Sequence, residues 1–349
     1  MALEQGGDQT PAAPDAPPPD PQQTDPGSQE VLRSVPLSRD PGESESKLTV
    51  LVAFAANILI AIAKTAAAVL TGSASLVAEA AHSWADSGNE IFLLIANRRS
   101  RQPADRAHPM GYGREAYVWS LFAALGLFVA GAVVSVSQGV GELVRPEPAS
   151  NFRIGYIVLA VSFVLEGISF LQSVRQAKPE AESMQRDLID HVLATSDPTL
   201  RAVFAEDSAA LVGVLLAAAG LGLHELTGSS IPDAVGSILI GVLLGFVAIV
   251  LINRNRRFLV GQEADPKVRA AAIRALLAAP EIARVTYLRL EVVGPRMVFV
   301  IGDVDLTGDD PEPRLAVRLR ALEARISASP AVVGAVLSLS APDEPTLEA

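Results

Sequence analysis

"LVAEAAHSWADSGNEIFLLIANRR", Leu76 to Arg99, has the length of a bilayer-spanning helix, yet its first half carries Glu79, His82, Asp86, Asn89 and Glu90. An ionisable group in mid-membrane costs at least ~2.5–3.5 kcal/mol on insertion scales, so such groups tend to face a cavity or a partner and to mark function. His82 and Asp86 are four residues apart and lie one turn apart on the same helix face. Glu79 and Asn89 extend that stripe at three-residue steps. Imidazole nitrogen with carboxylate oxygen is a ligand set suited to Zn²⁺ and its neighbours. The alternative is a structural polar contact between helices. For Glu79, Asn89 and Glu90 the two readings stand level, since these groups can also support the ligands from outside.

Working outward, the chain has 349 residues, half of them hydrophobic, and a positive mean hydropathy. Its apolar residues are concentrated in blocks rather than spread with amphipathic periodicity. Blocks at 48–71, 75–97, 116–143, 152–174, 203–224 and 232–252 are each near or above the ~20 residues that span ~30 Å of hydrocarbon. The expectation is six spans, with the second and fifth the least apolar. Residues 1–46, rich in Pro, Asp, Gln, Gly and Ser, hold too little apolar surface to offset ordering entropy and read as a disordered tail. No signal peptide is expected at the start.

The net charge of −11 excludes the basic surplus that nucleic-acid binding needs. With no cysteine there is no disulfide and no thiolate site, so any metal must take N or O ligands. Lys and Arg are one-sided. Arg98, Arg99, Arg101, Arg106 and Arg114 follow span two; Arg175, Lys178, Arg186 and Arg201 separate spans four and five; Arg254, Arg256 and Arg257 follow span six. The opposite side has only Arg145 and Arg153. That bias predicts cytoplasmic termini and a multi-pass protein, with a bacterial inner (plasma) membrane as the expected setting. Lys64, inside span one near its outer end, is expected to snorkel outward.

After Gly261 the periodicity changes. "DPKVRAAAIRALLAAP" is helical, "VTYLRLEVVG" and "MVFVIGDVDLTG" read as strands turning at Gly294–Pro295, and the first of them shows the clearer alternation. "EPRLAVRLRALEARISAS" is a second amphipathic helix and "AVVGAVLSLSAP" a third strand. The fold class is therefore a membrane all-α domain of six helices followed by a small α+β (α-β-β-α-β, ferredoxin-like) cytoplasmic domain. The expected division is a tail over 1–46, a transmembrane domain over 47–258, the α+β domain over 259–343 and a short tail over 344–349.

Span five carries Glu206 and Asp207 side by side in "VFAEDSAALVGVLLA". Adjacent helical residues point about 100° apart, so one of the two can complete a site with span two. Span four carries Glu166, which can pair with a neighbour such as Lys64 or carry a proton.

With these residues in place, the chain resembles the cation diffusion facilitators over about 48–342. The resemblance rests on "GSASLVAEAAHSWADSGNE" (72–90), "ADRAHPMGYGREAYVWSL" (104–121), Asp207, "IPDAVGSILIGVLL" (231–244) and "FLVGQEADP" (258–266). It implies a homodimeric divalent-cation/proton antiporter with six helices and a cytoplasmic α+β domain in each subunit. It also implies a transport site with His82 and Asp86 from span two and Asp207 from span five. The fourth family position falls on Val203, which cannot bind metal; Glu206 or a water is expected to substitute. The "ED" pair is similar to the zinc-transporter-9-like subgroup. A second family site is matched by Asp105 and His108, but its third position is Tyr112, a poor ligand at neutral pH with a phenol pKa near ~10, so this site is expected to be weak or absent.

Residues 262–349 contain no histidine, so the α+β domain is expected to dimerise the protein rather than to sense metal. Asp303 and Asp305 read as a solvated strand face, and His191 and His224 as interfacial or structural. The expected cargo is Zn²⁺, with Mn²⁺, Fe²⁺ and Co²⁺ as options; there is no prosthetic group, and the partners are lipid, protons and a second copy. An enzyme is disfavoured, since no His-Glu-x-x-His string occurs. A metal-binding sensor or scaffold of transporter ancestry is the alternative.

Overall fold

The computed structural model describes residues 47–146 and 149–348, with side chains from Phe54 onward; the expected N-terminal tail lies outside the described residues. Seven helices come first: α1 (Lys47–Thr71), α2 (Ala74–Ser100), α3 (Glu115–Val144), α4 (Phe152–Ser183), the short α5 (Leu188–Ala194), α6 (Pro198–Thr227) and α7 (Ile231–Val260). A π-helical turn at Ala124–Phe128 interrupts α3. By length and composition, five described helices are apolar enough to cross a membrane: α1, α3, α4, α6 and α7. The sixth expected span, α2, is long enough at 27 residues but falls outside that set. The polar stripe of Glu79, His82, Asp86, Asn89 and Glu90 is what lowers its hydropathy.

That stripe is buried by the other helices. Glu79, His82, Asp86 and Asn89 are all within the interior, and α2 packs on α1, α3, α6 and α7. Its N-terminus is fixed twice. Ser73 is the N-cap and accepts from Leu76 N, and Asp233 of α7 accepts from Ala74 N at 2.7 Å, Ser73 Oγ at 2.9 Å and Ser75 Oγ. A carboxylate facing the exposed N–H groups of a helix start is favourable on both hydrogen-bond and dipole grounds. The bundle core is made by Leu76, Phe128, Leu159, Val214, Leu221, Ile240, Leu244 and Leu251.

The α+β unit comprises α8 (Pro266–Leu277), β1 (Ile282–Gly294), β2 (Met297–Leu306), α9 (Glu312–Ser327) and β3 (Val332–Leu339). The sheet order is β1-β2-β3, with β1 antiparallel and β3 parallel to β2. The Pro295–Arg296 turn joins β1 to β2, and Arg296 takes a positive φ of 57° there. Strict burial alternation belongs to β2, not to β1 as the sequence suggested. Register shifts between Ile282 and Arg284 and between Val285 and Tyr287 break the period of β1. Residues after β3 return to β1, where Leu347 N donates to Val285 O at 2.8 Å.

The hairpin tip rests on the bundle. Arg296 Nη2 donates to Glu180 Oε2 at 2.9 Å and its backbone N to Ser196 Oγ at 3.0 Å. Arg114 pairs with Glu291, Arg186 with Asp265, and Lys267 Nζ donates to Met184 O. Tyr117 stacks on Phe258 at 4.9 Å and joins the core of the α+β unit.

Candidate functional site

Helices α2 and α6 run antiparallel in contact, and two contacts fix their relative height. At one level Asn89 Nδ2 donates to Glu206 Oε2 at 2.5 Å. At the other, Gly213 makes room for Glu79: a Cβ at Gly213 would run into Glu79 Oε1 and lie 3.7 Å from His82 Nδ1. Between them, Asp86 stands three residues from Asn89 and Asp207 one residue from Glu206. At 1.5 Å rise per residue their backbones differ in level by only ~3 Å. Glu166, Lys64, Glu79, Asp207 and Glu206 are among the charged groups that face Asp86, and Asp86, Asp207 and Glu166 face Glu206.

Hydrogen bonding leaves this level incomplete. His82 Nε2 lies 3.3 Å from Asp86 Oδ1, but without hydrogen-bond alignment. Ser169 Oγ of α4 donates to Asp207 Oδ1 at 2.9 Å. Both His82 nitrogens, Asp86 Oδ1, Asp207 Oδ2 and Glu79 Oε1 are buried with no hydrogen-bond partner. Each buried polar atom left so costs about 1–3 kcal/mol, and several on one stripe are hard to reconcile with a purely structural contact. The free atoms are nitrogens and carboxylate oxygens, which fit a divalent transition metal. Among the described residues, no three His, Asp or Glu side chains are closed around a common point. The donors are neighbours rather than a finished shell; facing carboxylates repel until a cation lies between them. Val203, one turn before Asp207, adds no donor.

The other polar groups of the stripe divide. Glu90 turns to α1 and accepts from Asn57 Nδ2 at 3.1 Å, away from Asp207. Asn89 binds the Glu206 carboxylate as above. Lys64 does not snorkel: it is 1% exposed and donates to Glu79 Oε2 at 2.9 Å, with Glu166 Oε1 at 3.5 Å. Two carboxylates in reach stabilise the ammonium inside more than the route to the membrane surface would. Glu166 thus pairs with Lys64, one of the two roles open from sequence.

At the loop after α2, Asp105 Oδ1 accepts from Ala107 N at 2.9 Å and His108 N at 2.7 Å, and Oδ2 accepts from Tyr112 O–H at 2.8 Å. His108 Nδ1 is 3.4 Å from the same carboxylate and its ring lies 4.0 Å from that of Tyr112. The Tyr112 hydrogen bond, ahead of the backbone N–H of His108, holds the Asp105 carboxyl below its usual range, and it pushes the phenol up. The residues expected as a second site are joined here as an exposed turn. In the α+β unit, Asp305 accepts from Arg284 Nε at 2.9 Å. His191 is buried beside Glu180, and His224 lies edge-on to Phe152 at 5.7 Å.

Three features escaped sequence reading: the Lys64–Glu79 pair, the Asp233 cap, and Arg201. The last is 1% exposed and donates to Thr195 O at 2.8 Å and Asn255 Oδ1 at 2.7 Å, so it is no free loop charge. A lone carboxylate in the apolar run after Ile231 was the available signal for Asp233.

The cation efflux transmembrane domain family matches residues 50–260. Metal tolerance protein C4 of Arabidopsis thaliana is 34% identical over 266 residues, which is 76% of this chain and 58% of that protein. Proton-coupled zinc antiporter SLC30A9, mitochondrial, of Homo sapiens is 32% identical over 259 residues, covering 74% and 46%. Cation-efflux pump FieF of Klebsiella pneumoniae is 25% identical over 228 residues, covering 64% and 69%. The chain thus spans about half the length of the first two relatives.

Proposed function

The chain belongs to the cation efflux family, near its zinc-transporter-9-like subgroup, and on that footing we propose that it is a divalent metal cation/proton antiporter. It exports Zn²⁺ or a similar transition metal from the cytoplasm and is not an enzyme. The observation that carries this reading is the set of unpartnered buried atoms on His82, Asp86 and Asp207, brought level by α2 and α6. In the loaded state Asp86 and Asp207 turn toward each other on the cation, His82 adds a nitrogen, and Glu206 or a water fills the place that Val203 leaves.

Metal and protons compete for such ligands, because both need the same lone pairs. A histidine, with an ordinary pKa of about 6.5, exchanges its proton near neutral pH. Cytoplasmic metal displaces protons from the site, the bundle rocks to present it outward, and external protons displace the metal. Asp105 and His108 serve the loop rather than a second transport site, as their mutual hydrogen bonds support.

We further propose a homodimer with cytoplasmic termini, divided into the 1–46 tail, the 47–258 transport domain, the 259–343 dimerisation domain and the 344–349 end. The relatives come from a plant, an animal and a bacterium, and one is named mitochondrial, so they do not favour a bacterial inner membrane over an organelle's. The alternative, a metal-binding sensor or scaffold, takes support from Val203 and from the absence of a closed cage among the described residues.

Vesicles reconstituted with the protein and offered Zn²⁺, Mn²⁺, Fe²⁺ and Co²⁺ decide between them. Saturable uptake that falls when the pH gradient collapses is expected. Asp207→Ala should lower it at least ~10-fold, the low end of what even outer-sphere changes cost a metal site. Glu206→Gln should act more weakly if water fills the fourth place. Uptake indifferent to the gradient and to Asp207→Ala sinks the antiport reading.

A further inference from the structure

The interior brings together the carboxylates of Glu79, Asp86, Glu166, Glu206 and Asp207, and the cation among them is Lys64. Lys64 and Glu79 are 1% and 0% exposed. One oxygen of Glu79 accepts from Lys64, while the other has no partner and borders the notch at Gly213. His82 Nδ1, also unpartnered, borders the same notch from the other side. The ammonium is therefore one carboxylate away from the imidazole of the transport site, with no side chain at Gly213 to separate them. Glu166 closes the cluster from α4, the helix that also supplies Ser169 to Asp207. Three helices thus tie Lys64 to the site on the side nearer the Gly72–Ser73 turn.

Resting on the transport reading above, we propose that Lys64 is a built-in counter-cation of the transport site. By neutralising one of the two carboxylates it touches, it limits how tightly the site holds a divalent ion and so permits release. A site of one imidazole and several unneutralised carboxylates in a low-dielectric interior attracts a doubly charged ion strongly, and a fixed positive charge close by offsets that attraction. Conduction and transport need binding that is favourable enough to load and weak enough to leave. Lys64 is thus a positioning residue for Glu79 and Glu166 and a determinant of affinity through charge.

The experiment is zinc calorimetry on the detergent-purified full chain, paired with zinc uptake into vesicles. Lys64→Gln should bind zinc about tenfold tighter and turn over more slowly, with KM and the maximal rate falling together. Glu166→Gln, which removes a negative charge and leaves Lys64 paired with Glu79, should bind about tenfold more weakly. Lys64→Gln combined with Glu166→Gln keeps the wild-type net charge and should return affinity to within about threefold of wild type. A purely structural lysine would lower the amount of folded protein without moving affinity in opposite directions for the two single variants.

Should Lys64→Gln fail to fold, Glu166→Gln and the double variant still decide. Unchanged affinity in Glu166→Gln, or a double variant tenfold from wild type, overturns the proposal. Absence of zinc binding by the wild type would instead sink the transport reading itself.

Discussion

Single residues carry the fine adjustment of this bundle. Gly213 is in a helix interior, where Ala would ordinarily be better by ~1 kcal/mol. Here an added Cβ meets the buried Glu79 Oε1. Gly213→Ala should therefore lose transport by roughly tenfold or more while raising thermal stability little or lowering it, as read by uptake beside a melting curve in detergent. An unchanged KM would mean that Glu79 does not need that space. Asp233 makes the opposite case, a charge kept for structure. Its carboxylate gathers two hydroxyls and a backbone N–H at the start of α2. Asp233→Ala leaves buried donors unpaired at about 1–3 kcal/mol per group, so its melting temperature should fall clearly. His82, Asp86 and Asp207 stand out in the sequence as candidates, because a charge in an apolar run is conspicuous. The sequence did not reveal which of them pair, because that depends on where α4 and α6 approach α2.

Elements show how far periodicity reaches. The six long helices were legible from block length alone, and so was the α-β-β-α-β order. The burial phase of β1 was not, because register shifts break the period that its residue types follow. Nor was the seat of the hairpin on the bundle, which rests on long-range pairs. The tip packs so closely there that a Cβ at Gly113 would lie 2.5 Å from Val293 O and 2.8 Å from Gly294 Cα. Gly113→Val should loosen this seat, and limited proteolysis between α7 and α8 should then run faster than in the wild type.

The same seat should respond to pH. His191 is buried next to Glu180, which also holds Arg296. Burial, the largest influence, pushes the imidazole below its ordinary 6.5; Glu180 and Asp265 oppose this, while Arg186 and Arg296 add to it. With the folded value depressed, the unfolded segment binds more protons as pH falls from about 6.5 toward the folded value, and stability is lost across that window. Hydrogen exchange over 188–196 should quicken as pH drops below 6.5, after correction for the intrinsic rate, and His191→Gln should flatten that trend. A trend that persists in His191→Gln would assign it to another group.

At the scale of the whole molecule, charge placement sets orientation, and the structure bears on that argument without reversing it. Arg201 leaves the set of free loop cations because it is buried against Thr195 and Asn255. The remaining Lys and Arg still crowd the ends of α2, α4 and α7 and leave the α1–α2, α3–α4 and α6–α7 turns with few. By the positive-inside rule that asymmetry predicts the α+β unit on the cytoplasmic side. The chain contains no cysteine, so single cysteines report position without background. Thr227 at the α6–α7 turn and Ala328 after α9 are both exposed. In sealed cells, a membrane-impermeant maleimide should label Thr227→Cys directly and Ala328→Cys only after permeabilisation. The reverse pattern would invert the bundle. Metal entering from the cytoplasm would then meet the Glu79 and Lys64 end of the polar stripe before Asp86 and Asp207, while the direction of net exchange would still follow the proton gradient.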